Sequence, residues 1–210
     1  MSTQRRAHEV LEFWFGPRPF TPAVIEQRMR LWFSNSDAPE LIPQTDEAVR
    51  LRFGPLAAAA ARGELAAWES SPRRRLALIL LLDQFSRNIF RGRLRAYSQD
   101  RVALALTVEG MQLGAEAPLD PVERIFFYMP LQHAESVDVQ EESVAAFRRL
   151  MEEAPPELRP VFAAVNEYAQ LHRDIIVRVG RFPHRNQALG RDTTNEEAVW
   201  LEREGMRFGQ

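Results

Sequence analysis

The chain has 210 residues, 27 of them arginine and none lysine, against 29 acidic residues and a formal net charge of −2. It contains no cysteine, which excludes disulfide scaffolds, CxxC redox sites, cysteine nucleophiles and cysteine-type zinc sites. The lack of lysine excludes Schiff-base chemistry and a Walker-A loop, and the near-neutral charge argues against a general nucleic-acid binder. The N-terminal stretch MSTQRRAHEVLEFWFG has no apolar centre of the kind a secretory signal needs, so a cytoplasmic location is expected. Val10, Leu11, Phe13 and Trp14 mark a first helix. Thr21-Pro22 opens a second, on which Val24, Ile25, Met29, Trp32 and Phe33 fall near one face. Gly54-Pro55 reads as a break. Ser71-Pro72 starts the most apolar helix, whose run Leu76–Leu82 is hydrophobic all round, as in the centre of a bundle. That run is too short to span a membrane. Asp120-Pro121 with Glu123, and Thr194 with Glu197, have capping-box spacing. Pro130 is expected to end or kink its helix. Pro155-Pro156 marks another break, after which a helical pattern runs to Val179, with Ile175–Val179 as the only serious strand candidate. The polar stretches Asp37–Pro43 and Pro155–Glu157 are too short for flexible tethers. The pattern predicts one domain over residues 1–210, with about eight to ten antiparallel helices joined by short loops.

Three polar strings carry the candidate chemistry. In the first, Leu82–Gly92, an unbroken helix places Asp83, Arg87 and Arg91 on one stripe, with Gln84 and Asn88 beside it. The competing reading is an ion-paired helix end. In the second, Glu123–Glu135, Arg124 precedes a bulky apolar block, and His133 and Glu135 emerge after Pro130. Histidine beside carboxylates suits general acid–base work or metal ligation, but the spacing matches no zinc pattern and no HExxH occurs, so no metal and no cofactor are expected. The third, His172–Arg191, holds five arginines and one acid, Asp174. His172 lies with Ile175, Ile176 and Val179 and reads as a core histidine. Asp174 and Arg178 read as a surface pair. Glycine and proline shape the loop Gly180–Asn186, from which Arg181, His184, Arg185 and Asn186 project, with Arg191 close behind. Arginine forks fit carboxylates and phosphates, and a helix starting near Pro183 would favour an anion too.

The strings LEFWFG (Leu11–Gly16), LDQFSRNIFRG (Leu82–Gly92), ERIFFYMPLQHAES (Glu123–Ser136) and GRFPHRNQALGRDTTNEE (Gly180–Glu197) resemble a bacterial family of unknown function, domain number nine hundred and twenty-four. The resemblance implies a TPR-like all-α fold and supplies no activity. This chain departs from the family pattern at Ser86, where proline is usual, at Gln132, where glutamate is frequent, and at Ala134, where serine is. Loss of a carboxylate beside His133 weakens a metal site there.

Three readings follow. The favoured one is a module that binds a small anion or an acidic peptide group at an Arg/His-lined cleft formed by Arg87, Asn88, Arg91, Arg124, Arg181, Arg185, Asn186 and Arg191. The second is a hydrolase-type enzyme, with His133 or His184 as base and Asp83 or Glu135 orienting it. The third is a structural or interaction protein whose polar strings brace loops. Exposed Trp14, Trp32 or Phe33 would then mark a homodimer face. Neither nucleic acid nor membrane is an expected partner.

Overall fold

The computed structural model describes residues 3–33 and 40–204. The helices are α1 (Thr3–Phe15), α2 (Pro22–Phe33), α3 (Leu41–Ala61), α4 (Pro72–Leu82), α5 (Gln84–Ile89), α6 (Asp100–Gln112), α7 (Pro121–Gln132), α8 (Val137–Glu152), α9 (Arg159–Val179), α10 (Asn186–Leu189) and α11 (Asn195–Glu204), with short 3-10 turns between several of them. No strand occurs among the described residues, so the fold is all-α. Residues 37–39 of the polar stretch Asp37–Pro43 lie outside the described residues.

The apolar run of α4 explains the centre of the molecule. Every residue from Leu76 to Leu82 is buried, because α1, α3, α5, α6 and α7 surround the helix. Trp14, Phe15, Trp32 and Phe126 interlock beside it, with ring centroids 4.8–6.1 Å apart in tilted or edge-on pairs. Such pairs add about 0.5–1.5 kcal/mol each to area burial. Further along the chain α7 packs on α8 and α8 on α9, each helix on its neighbour. A second, small apolar cluster (Ile175, Ile176, Phe182 and Trp200) joins the end of α9 to α11.

Punctuation residues perform unequally. At α7 the Val122 N–H donates to Asp120 Oδ1 (3.0 Å) and the Asp120 N–H to Glu123 Oε2 (3.1 Å), the reciprocal pair that the spacing predicts. Thr194 and Glu197 close the same motif at α11. Thr21 Oγ1 accepts from the Val24 N–H at 3.4 Å, whereas Ser71 makes no capping bond.

Four expectations need correction. Gly54-Pro55 does not break α3, which runs through it to Ala61. Pro130 does not end α7, which continues to Gln132 in a wholly buried setting where packing outweighs one lost backbone bond. Ile175–Val179 is helical, part of α9, in keeping with its amphipathic period. The helix through Leu82–Gly92 is interrupted at Asp83 (φ −94°, ψ −66°) and α5 ends at Ile89, so Arg91 leaves the stripe.

Candidate functional site

The interruption at Asp83 places a carboxylate in the middle of the fold. Its side chain is only 1% exposed. Asp83 Oδ1 accepts from His133 Nδ1 at 2.7 Å and forms an ion pair with Arg87 Nη1 at 2.9 Å, and Oδ2 accepts from Gln84 Nε2 at 2.6 Å. The Asp83 carbonyl accepts from Arg87 Nη1 as well, at 3.0 Å. His133 arrives there as the residue that ends α7. A carboxylate only accepts, so His133 Nδ1 carries the proton of the neutral ring and Nε2 holds the lone pair. Among the described residues no hydrogen bond engages Nε2.

Arg87 also faces Asp100, the first residue of α6, through two parallel bonds of 3.0 Å each. Arg185, from the turn before α10, reaches the same carboxylate at 3.4 Å and the His133 carbonyl at 3.1 Å. Both guanidinium groups lie over the Tyr97 ring, 5.7 and 5.0 Å from its centroid, and Arg185 lies over Phe182 at 4.3 Å. The Arg185 side chain is 6% exposed, yet its Nε–H has no hydrogen-bond partner. His133 and His172 rings stand 6.4 Å apart, and Phe182 contacts both His172 and His184 at 5.5 Å.

Burial governs the titration of the cluster. It pushes the Asp83 carboxyl up, but Arg87, then His133 and Gln84, outweigh it and hold the group well below the usual carboxylate range. Burial opposes the charge on Arg87 too, and Asp100 and Asp83 more than restore it. For Arg185 burial wins: together with repulsion from Arg87 it lowers the guanidinium to about 10, with Asp100 compensating only in part. His133 is lowered by burial and then by Arg87, against the pull of Asp83. Burial takes His172 to about 3, and burial with Arg185 takes His184 to about 2. At neutral pH Asp83 is therefore charged beside the Arg87 and Arg185 cations, and the three imidazoles are neutral.

The other expected ligand-binding residues carry internal partners of their own. Arg91 and Asn88 both bond Asp46 of α3, at 2.7 and 2.9 Å. Arg124 donates to the Ala117 and Leu119 carbonyls and to Glu153. Arg181 grips Glu197 in a two-bond fork (2.6 and 2.9 Å), and Asn186 donates to the same carboxylate. Arg191 pairs with Glu135 through bonds of 2.8 and 3.1 Å and takes Asn186 Oδ1 with its Nε. Glu135 does not orient a histidine; besides Arg191 it accepts the Phe182 N–H at 2.8 Å. Asp174 pairs with Arg173 rather than Arg178, which lies 3.7 Å from Glu196. Trp14 and Trp32 are buried, which removes them from any homodimer face. His172 is the core histidine its helix face suggests, with Nδ1 2.7 Å from the Tyr168 carbonyl.

Asp100 and Asp46 are the site-forming residues the sequence reading missed. Asp100 opens α6 as an ordinary first-turn acid, and Asp46 lies in the second turn of α3 beside Glu47. The only cue is that strings with more arginines than acids need carboxylates from elsewhere. The clearest surface hollows, about 430 Å³ beside Arg178 and Glu196 and about 250 Å³ beside Leu11, Phe20 and Arg73, are not lined by the cluster. Its solvent edge is formed by Asp100 and His133, whose side chains are 20% and 13% exposed. Among the described residues no group of three or more His, Asp or Glu side chains is placed to hold a metal ion.

A family model for bacterial proteins of unknown function (DUF924) matches residues 10–205. The solved structure of a protein of unknown function from Agrobacterium tumefaciens is similar, at 33% identity over 96% of this chain and 99% of that chain, with a TM-score of 0.77. No curated protein compared with the chain matches it.

Proposed function

We propose a function from the site itself, because the chain belongs to DUF924, a bacterial family of unknown function. The reading is a small-molecule binding protein that takes an oxyanion, the carboxylate or phosphate of a metabolite or acidic peptide group, at Arg185 and Arg87. The observation that carries it is Arg185: a buried guanidinium with an unpartnered Nε–H and one long bond to a shared carboxylate. A buried cation is costly unless fully paired, and a ligand anion completes the pairing. Arg91, Arg124, Arg181 and Arg191 are read as braces, since each has a carboxylate of its own.

Calorimetric titration with phosphorylated and carboxylated small molecules at low salt tests this. Binding is expected in the parent and in Arg124→Ala, and is expected to be lost in Arg185→Gln. No heat with any anion, or an equal response in Arg185→Gln, refutes it.

The Asp83–His133 pair supports a second reading, general-base catalysis on the bound anion. A carboxylate fixes Nδ1–H and leaves Nε2 to accept a proton, the arrangement of an oriented base. Turnover of an anionic ester that disappears in His133→Gln, with anion binding retained, supports the enzyme; turnover that survives in that variant rejects it. A cytoplasmic setting and a TPR-like stack belong to the same proposal. They are supported by the nearest-neighbour packing of α7 to α9 and by the finding that no helix among the described residues is long and apolar enough to cross a membrane. Whether the protein forms a homodimer is answered by sedimentation.

A further inference from the structure

Neither of the two hollows described above faces the arginine pair; the pair already holds a carboxylate, and that carboxylate is part of the chain. The Asp100 carboxylate meets Arg87 fork to fork, Oδ1 to Nη1 and Oδ2 to Nη2 at 3.0 Å each, and Oδ2 also meets Arg185 Nη1 at 3.4 Å. Arg87 and Arg185 come from elements nearly a hundred residues apart and share one acid over one aromatic ring, Tyr97. Two guanidinium planes converging on a single carboxylate is the geometry by which arginines recognise a free carboxylate or phosphate.

We infer that Asp100 is an internal surrogate ligand, seated in the oxyanion cradle of Arg87 and Arg185 and displaced when a carboxylate or phosphate binds. This deepens the oxyanion-binding reading and rests on it. Three features allow the exchange. Asp100 is more exposed than Asp83, Arg87, His133 or Arg185, so the way out for its side chain is also the way in for the ligand. It is the first residue of α6, where a carboxylate swung outward still faces the free N–H groups and positive end of the helix. Asp83 stays on Arg87 throughout, so only one negative charge leaves the cradle and the ligand must replace it. A neutral ligand would leave Arg185 buried without a counter-charge. The unpartnered Nε–H of Arg185 is a position Asp100 does not satisfy and a larger, tetrahedral anion can.

A tethered carboxylate competes at an effective concentration of millimolar or more. Removing its charge is therefore expected to tighten binding rather than weaken it. The test titrates inorganic phosphate and, separately, acetate into the parent, Asp100→Asn, and Asp100→Asn with Arg185→Gln, at low ionic strength. Asp100→Asn is expected to bind at least tenfold tighter than the parent, and the double variant is expected to lose the gain. The phosphate and acetate arms show which oxyanion the cradle prefers. Equal affinity in the parent and Asp100→Asn overturns the surrogate role while leaving oxyanion binding intact. Silence of both proteins towards both anions overturns the binding reading as well. Where Asp100→Asn folds poorly, refolding driven by phosphate and not by glycerol supports the inference, and refolding driven equally by both contradicts it.

Discussion

Acidification is expected to destabilise this protein well before its carboxylates titrate. His172 and His184 are held neutral to about pH 3 and about pH 2 by burial, whereas in the unfolded chain a histidine takes its proton near pH 6.5. As pH falls below 6.5 the unfolded state binds more protons than the native state, so stability drops with falling pH. Integrated from pH 8 to pH 5, each histidine contributes a loss of about 2 kcal/mol, so the two together lose about 4 kcal/mol. His133, shifted in the same direction, adds to the fall. Asp83, Glu135 and Glu197 are shifted downward, so the stability they contribute is lost only as pH falls below their unfolded values near 4, outside this window. For a domain of this size the loss amounts to a melting temperature lowered by about 8–16 °C between pH 8 and pH 5. Thermal melts followed by circular dichroism at fixed ionic strength measure it. In His172→Gln the fall should shrink by about 2 kcal/mol, whatever the variant does to stability at pH 8. A melting temperature that is flat over this range, or a fall unchanged in His172→Gln, refutes the view that these imidazoles are buried and neutral.

Other substitutions probe the framework. Asp83→Asn removes a buried charge facing Arg87 and His133 and should cost about 3–5 kcal/mol in urea unfolding, with His133 Nδ1 shifted in nitrogen NMR. An unshifted His133 resonance contradicts the pairing. Glu135→Ala strips the partner from Arg191 and the acceptor from the Phe182 N–H. Amide exchange should quicken across residues 181–204, which add only a small apolar cluster, and leave α4 unchanged; equal quickening in α4 contradicts a separate C-terminal unit. Gly110→Ala places a methyl 2.6 Å from Phe127 Cζ and should cost about 1–3 kcal/mol through overpacking. A neutral melt would show that Phe127 has room to move.

What could be read from the sequence depended on how local the cause was. The burial of Leu76–Leu82 and the boxes at Asp120 and Thr194 follow from residues a few places apart, and the structure reproduces them. The continuations through Pro55 and Pro130 were not legible, because tertiary packing overrides a local break. The meeting of Asp83, Arg87, His133 and Arg185 was suggested by their chemistry, but the sequence carried no sign of which acid each arginine would take. Glu135 was a natural partner for His133, two residues away, yet it serves Arg191, fifty-six residues on. Asp100 and Asp46 gave no signal, because pairing across the fold leaves no spacing to read.

The most direct test of the oxyanion cradle is a crystal of the parent protein soaked in selenate, with anomalous difference density measured at the selenium edge. The account predicts a selenium peak within hydrogen-bond reach of Arg185 Nε and the Arg87 fork, with the Asp100 side chain turned out toward solvent. Asp100 still seated on Arg87, with selenium found only at other surface arginines, would contradict it.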